Sequence, residues 1–292
     1  MISMSNQTAL ILEGGGLRGI YTAGVLDCFL ENGIDLRDVY AVSAGACHAC
    51  SYLAYQHGRA YSTNIDYLHD KHYCSIYSLL TTGDLFGANF LYHELPEKLY
   101  PIDNEAFLHT PSEFHAVVTN CLTGRAEYPI VRDLFRDVDY VRASSSLPGV
   151  SRFVMLNGVP YLDGGISDAI PLRRSESDGH TKNVLVLTRD RSYRKETSAV
   201  TPLLKIKYRA YPALIELLEM RHLAYNAQLD YIREAEAAGR AFVIAPTVPL
   251  KLGRMEKNRE KLNEIYLLGQ NDALKKLDEL KQYLIIKKDA RS

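Results

Sequence analysis

The sequence predicts an α/β fold around a mainly parallel β-sheet, with a helix-rich C-terminal part. Three observations predict it. Short apolar runs alternate with helix-length segments through the N-terminal third. Glycines stand at the joints between them. Beyond Thr201 the pattern turns mainly helical. Strand–helix alternation implies parallel strands joined by crossovers.

Thr8–Leu12 (TALIL) reads as a buried strand that runs into Glu13 and three glycines. A helix follows from about Arg18 to Asn32, with Ile20, Ala23, Val25, Leu26, Phe29 and Leu30 as its apolar positions, and Gly33 stops it. Val39–Val42 is a second strand, and Ala44–Gln56 a second helix that closes near Gly58. Further strands are expected at His115–Asn120, Glu127–Val131, Asn183–Thr188 and Ala241–Ala245, the first two forming a hairpin across CLTGRA. Residues 60–112, rich in Tyr and His, suit short helices and a covering flap. The stretches 202–237, with a break near Pro212, and 256–285 read as helices. The division expected is 8–176 as a motif-bearing domain, with 177–292 completing the sheet and adding helices.

Composition bounds the function. The chain has 292 residues, 47% hydrophobic and 24% charged, enough for a sizeable core. A formal net charge of -1 gives no global attraction to nucleic acid, and no nucleic-acid partner is expected. The cysteines, Cys28, Cys47, Cys50, Cys74 and Cys121, are odd in number and lack a disulfide framework. The first residues lack the basic start of a signal peptide. No run nears the roughly 18 apolar residues of a spanning helix. A reduced, cytoplasmic protein is expected, with room for peripheral contact at the inner membrane face.

Glu13-Gly14-Gly15-Gly16-Leu17-Arg18-Gly19 lies between a strand and a helix. Glycines let a ligand approach backbone amides closely, and the helix that follows adds the positive end of its dipole. Gly14, Gly16 and Gly19 fit G-x-G-x-x-G, but a dinucleotide site needs an acidic residue at the end of the next strand. That strand ends instead in Ser43-Ala44-Gly45, and Asp35 and Asp38 precede it. An oxyanion hole is the reading favoured over a dinucleotide site and a plain tight turn.

AVSAGA (residues 41–46) is nearly G-x-S-x-G, the nucleophile elbow, with Ala41 in place of the first glycine. Small neighbours let strand and helix approach across a sharp turn that projects the Ser43 hydroxyl. A serine N-cap is the plainer alternative. In PYLDGG (160–165), Asp163 ends an extended piece before two glycines that allow the carboxylate to reach inward; an ordinary Asp-Gly turn is the alternative. Cys47-His48-Ala49-Cys50 lacks the further ligands of a zinc site, so no metal is expected.

Together, Gly14–Gly19, the serine of AVSAGA and the Asp163-Gly164-Gly165 segment resemble the patatin-like phospholipase family, in that family's order, and ASSSLPGV (143–150) resembles its A-S-x-x-x-P region. The likeness covers residues 8–176. It implies a three-layer α/β sandwich and a Ser–Asp dyad without histidine or cofactor. In that reading Ser43 is the nucleophile and Asp163 the proton acceptor. Gly14, Gly15 and Gly16, braced by Arg18, hold the oxyanion, and Gly19, Gly45, Gly164 and Gly165 support the motifs. The substrate implied is a lipid ester: phospholipid, lysophospholipid or acylglycerol. Tyr61, Tyr67, Tyr73, Tyr77, Phe86, Phe90 and Tyr92 suit either an acyl pocket or ordinary packing. Two classes of rival remain: a Ser-His-Asp esterase using His115, His180 or His222, and a nucleotide- or lipid-binding protein that uses the glycine loop without hydrolysis.

Overall fold

A computed structural model describes residues 8–253 and 255–285. In chain order the first half contains β1 (Thr8–Leu12), α1 (Ile20–Glu31), β2 (Asp38–Val42), α2 (Ala44–Leu53), α3 (Arg59–Ile65), α4 (Ile76–Thr82) and α5 (Asn104–His109). Then come β3 (Glu113–Asn120), β4 (Ala126–Glu127), β5 (Ile130–Val131), α6 (Val138–Ser144), β6 (Val154–Leu156), β7 (Val159–Asp163) and α7 (Leu172–Ser177). The rest comprises β8 (Lys182–Val186), α8 (Thr201–Lys207), α9 (Pro212–Ala237), β9 (Ala241–Ile244), α10 (Arg259–Lys275) and α11 (Leu277–Leu284).

The strands form one sheet in the order β6-β7-β3-β2-β1-β8-β9, with β4 and β5 also on β3. Strands β3, β2, β1, β8 and β9 are parallel; β4, β5 and β7 pair antiparallel with β3, and β6 pairs antiparallel with β7. Successive side chains of a strand face opposite ways, and β1 shows the layering that results. Leu10 and Leu12 enter a core shared with α1, α2, α10 and α11, whereas Ala9 and Ile11 enter one shared with α7 and α9. Helices therefore cover both faces of the sheet.

The structure redraws several boundaries. The first helix begins as a tight 3-10 turn at Gly16–Gly19 before α1 proper. The strand expected at Glu127–Val131 is two pieces, because Pro129 between them cannot donate to a ladder. The C-terminal helix divides at Lys276. The extended piece ending at Asp163 is β7, and it pairs with β6, which lies outside the expected strands; their turn, Asn157-Gly158, has φ of 50° and 79°, the left-handed pair of a tight hairpin.

Helix α10 fastens the C-terminal part to α1. Gly24 and Gly269 lie where the two helix backbones touch, and a methyl group on either would overlap the carbonyl of Tyr266 or Tyr21, respectively. The Tyr21 hydroxyl donates to Asp272 (3.3 Å) and that of Tyr266 to Asp27 (2.8 Å), so each helix anchors the other. Because the obstacle is backbone, Gly269→Ala is expected to destabilise the protein by about 3 kcal/mol. In thermal denaturation that is a drop of roughly 5–10 °C; an unchanged melting temperature would mean the helices can separate freely.

Candidate active site

The loops after β1, β2 and β8 gather at the C-terminal edge of the parallel strands, where strand order turns about β1; this is where open α/β sheets bind ligands. Ser43 leaves β2 with φ 56° and ψ -126°, a conformation that side-chain-bearing residues avoid. Such strain costs about 1–3 kcal/mol and persists only where the surroundings enforce it. Here they do. The Ser43 amide donates to Ser144 Oγ at 2.9 Å, and the turn is packed on every side. A Cβ on Gly14 would come within 2.7 Å of Ser43 Cβ; on Gly45, 2.8 Å from Leu12 O; on Gly19, 2.7 Å from Ala44 Cβ. Ala41, in place of a motif glycine, is fully buried in β2, so its methyl group is accommodated.

Asp163 ends β7 opposite Val118 of β3, which brings it beside the end of β2. Its backbone is held from both sides: its N–H donates to Ser146 O (2.9 Å) and its carbonyl accepts from Thr119 Oγ1 (2.8 Å). The carboxylate is 2% exposed. Oδ1 accepts the Gly165 N–H at 2.7 Å, while buried Oδ2 has no partner of ordinary hydrogen-bond geometry among the described residues. Burial raises the Asp163 pKa above the ordinary carboxyl value; the Ser43 hydroxyl, Arg221, the Gly165 amide and Lys195 offset this in part. The result is a carboxylate with one oxygen anchored, the other free and a strengthened affinity for a proton. Gly164 and Gly165 are required by space, since a side chain on Gly164 would strike the Val117 backbone and one on Gly165 would lie 3.0 Å from Asp163 Oδ1.

In the glycine loop, Gly16 has φ 55°. Among the described residues the amides of Gly14, Gly15 and Gly16 donate no hydrogen bond. Unpaired amides at a cavity wall are acceptor-seeking. The loop is held without using them: Thr188 Oγ1 donates to Gly14 O (2.9 Å), and Glu13 accepts the Thr188 N–H (2.7 Å) and the Tyr225 hydroxyl (2.6 Å). Arg18 braces the loop through its backbone N–H to Gly15 O (3.2 Å). Its guanidinium turns to the cavity instead, and Nε is buried without a partner. A methyl group on Gly14 would therefore displace either the loop amides or Ser43.

Two cavities meet at Ser43. One, about 150 Å³, is mainly apolar, with Tyr73, Phe86 and Tyr92 among its walls and the short helices of residues 60–112 as its cover. Of the other aromatics in that segment, Tyr61, Tyr67 and Phe90 pack in or against the core, and Tyr77 is exposed. The second cavity, about 260 Å³, is polar and includes the glycine loop and Asp163. Cys47 and Cys50 border the apolar cavity, Cys47 against Ser145 Oγ and Cys50 against Ala46 O.

The histidines of the triad reading lie elsewhere. His180 meets Asp38 at the start of β2, the end away from Ser43, and His115 stacks on Tyr40. His222 Nδ1 meets the Glu219 carbonyl of its own helix. His48, which that reading did not include, borders the apolar cavity, but burial pushes its pKa down to about 4, and among the described residues no carboxylate is hydrogen-bonded to it.

Sequence reasoning left several supporting residues unassigned. Ser144, Ser146 and Thr119 brace Ser43 and Asp163; Glu13, Thr188 and Tyr225 lock the glycine loop. The serine run before Leu147-Pro148 carried a signal for the first two, but not the direction of their contacts.

A family model described as Patatin-like phospholipase matches residues 10–174, and one described as Domain of unknown function (DUF6363) matches residues 211–285. The Uncharacterized protein YjjU of Escherichia coli (strain K12) is 28% identical over 267 residues, covering 90% of this chain and 74% of that protein. Among solved structures, VipD from Legionella pneumophila aligns over 94% of this chain and 67% of its own, with 14% identity and a TM-score of 0.45.

Proposed function

Since this chain belongs to the patatin-like phospholipase family, we propose that it is a serine acyl hydrolase that cleaves carboxylic esters of lipids through an acyl-enzyme on Ser43. The observation that carries this reading is the convergence, around one cavity, of a strained serine, a desolvated carboxylate with a free oxygen, and unpaired loop amides. Ser43 Oγ attacks the ester carbonyl carbon as its proton passes to Asp163. The Gly14, Gly15 and Gly16 amides take the negative charge that develops on the carbonyl oxygen. Collapse breaks the bond to the alcohol, which leaves with the proton returned by Asp163. Water, deprotonated by Asp163, then attacks the acyl carbon; the bond to Ser43 Oγ breaks, Asp163 returns the proton to Ser43, and the fatty acid leaves. The raised pKa of Asp163 brings it closer to that of a useful base.

The apolar cavity beside Ser43 suits an acyl chain. Among the described residues no helix is long and apolar enough to cross a membrane. The test is a fluorophosphonate ester carrying an alkyl chain, followed by mass spectrometry of the digested protein. An adduct on the Ser43 peptide is the expected result; no adduct, or an adduct elsewhere, rejects this nucleophile. His180→Ala and His222→Ala are expected to keep at least half of the wild-type kcat/KM, whereas a Ser-His-Asp enzyme would lose nearly all of it in one of them.

A further inference from the structure

The polar cavity carries more positive charge than the reaction above uses. Arg18 reaches it from the glycine loop, Arg189 and Lys195 from the segment after β8, and Arg221 from α9. Among the described residues none of the four forms a salt bridge. The acids in the wall are otherwise engaged: Glu13 holds Thr188 and Tyr225 with its two oxygens, and Asp163 is anchored to Gly165. Arg221 donates from Nε to Gly165 O (2.8 Å), leaving the rest of its fork free. Arg189 lies over the Tyr193 ring and Lys195 over that of Tyr225. Buried Arg18 Nε has no acceptor at all. Like charges gathered in a concave, partly desolvated space repel unless an anion joins them.

An ester held at Ser43 has two sides. Its acyl side suits the apolar cavity, so its alcohol side faces the cations. Arginine forks fit phosphate oxygens in pairs, which favours phosphate over a point charge such as halide. We propose that Arg18, Arg189, Lys195 and Arg221 form an anion subsite for a phosphate on the alcohol side of the scissile ester, which makes the enzyme prefer lysophospholipids with a net-negative head over zwitterionic or uncharged ones. This rests on the hydrolase reading of the same site.

Lys195 supplies a pH signature. It is faced by Arg18 and Glu13 from the glycine loop, by Asp163 from β7, by Arg189 and Tyr193 from its own segment, and by Arg221 and Tyr225 from α9. Burial first, then Arg221, pushes its ammonium down to about 8. Head-group preference is therefore full below that pH and weakens as pH rises through it.

The experiment compares kcat/KM for three esters of one acyl chain, all below their micelle concentrations: 1-acylglycerol 3-phosphate, 1-acylglycerophosphocholine and 1-acylglycerol. Wild type is expected to favour the phosphate over the choline ester by at least ~10-fold. Arg189→Gln and Lys195→Gln, two variants in case one fails to fold, should each reduce that ratio by at least ~5-fold, and Lys195→Arg should keep it above pH 8. In parallel, Ser43→Ala protein is titrated calorimetrically with glycerol 3-phosphate and with inorganic phosphate. Equal rates on all three esters, with the ratio unmoved in the variants, overturn the subsite and leave the hydrolase reading intact. Glycerol 3-phosphate binding to a protein that hydrolyses no ester supports the subsite and sinks the hydrolase reading. Inorganic phosphate binding as tightly as glycerol 3-phosphate, without head-group preference in hydrolysis, overturns the assignment to a lipid head.

Discussion

Ser43→Ala should abolish ester hydrolysis, by about 10⁴-fold or more, while the melting temperature stays within a degree or two of wild type. The size of the loss follows from the role proposed for Ser43: without its oxygen there is no acyl-enzyme, and what remains is the contribution of bound water, loop amides and substrate positioning. The small change in stability follows from the local structure. Alanine keeps the Cβ, so the φ of 56° is as strained in the variant as in the parent. The Ser144 contact is made by the Ser43 backbone amide and survives the substitution. Initial rates on p-nitrophenyl esters of graded chain length, read beside thermal denaturation, check both halves. A folded variant retaining a tenth of wild-type activity would move the nucleophile elsewhere. Wild type inactive on every ester would favour the binding-protein readings, and a screen for nucleotides that raise the melting temperature would then separate them.

Asp163→Asn carries the second large effect, and its two readouts run in opposite directions. Activity is expected to fall by about 10³-fold or more, because an amide cannot take the Ser43 proton. Stability at neutral pH is expected to rise. The folded-state pKa of Asp163 is raised above the ordinary carboxyl value, chiefly by burial. Between the unfolded and folded pKa values the native state binds more protons than the unfolded one, so stability falls as pH rises through that window. Above it, wild type bears the whole cost of a buried charge. Asparagine does not, and its Oδ1 can still accept the Gly165 N–H. The melting-temperature advantage of the variant should therefore be full above the raised pKa and shrink as pH falls through it. In wild type, kcat/KM should decline over the same range, because the base becomes protonated. A variant less stable than wild type at pH 7 would mean that Arg221 and Lys195 outweigh the burial of Asp163.

Ser43 was legible in the sequence because its surroundings are local, whereas Asp163, by itself an ordinary Asp-Gly turn, stood out only through the resemblance carried by the three motifs together. A strand followed by Ser-Ala-Gly needs only a few consecutive residues to specify a sharp turn, and β2, Ser43 and α2 follow in that order. The same holds for β1 with its glycines, and for the alternation that sets a parallel sheet with helices on both faces. The β6–β7 hairpin was legible too, in Asn157-Gly158, but the apolar runs on either side are short and interrupted by Pro160, which hid the pairing.

The tertiary structure alone decided what stands beside the reacting atoms. Ser144 and Ser146 differ in no local way from Ser145; the turn that ends α6 puts the Ser144 hydroxyl on the Ser43 amide, the Ser145 hydroxyl against Cys47 and the Ser146 carbonyl on the Asp163 N–H. Arg18, Arg189, Lys195 and Arg221 come from three separate stretches, and each by itself reads as an ordinary charged residue. They meet because β8 lies next to β1 and α9 crosses the edge of the sheet there. Backbone preferences act over a few residues and so are written in short windows of sequence. Electrostatic character arises from distances between side chains remote in the chain, which only the order of the strands and the packing of helices upon them determine.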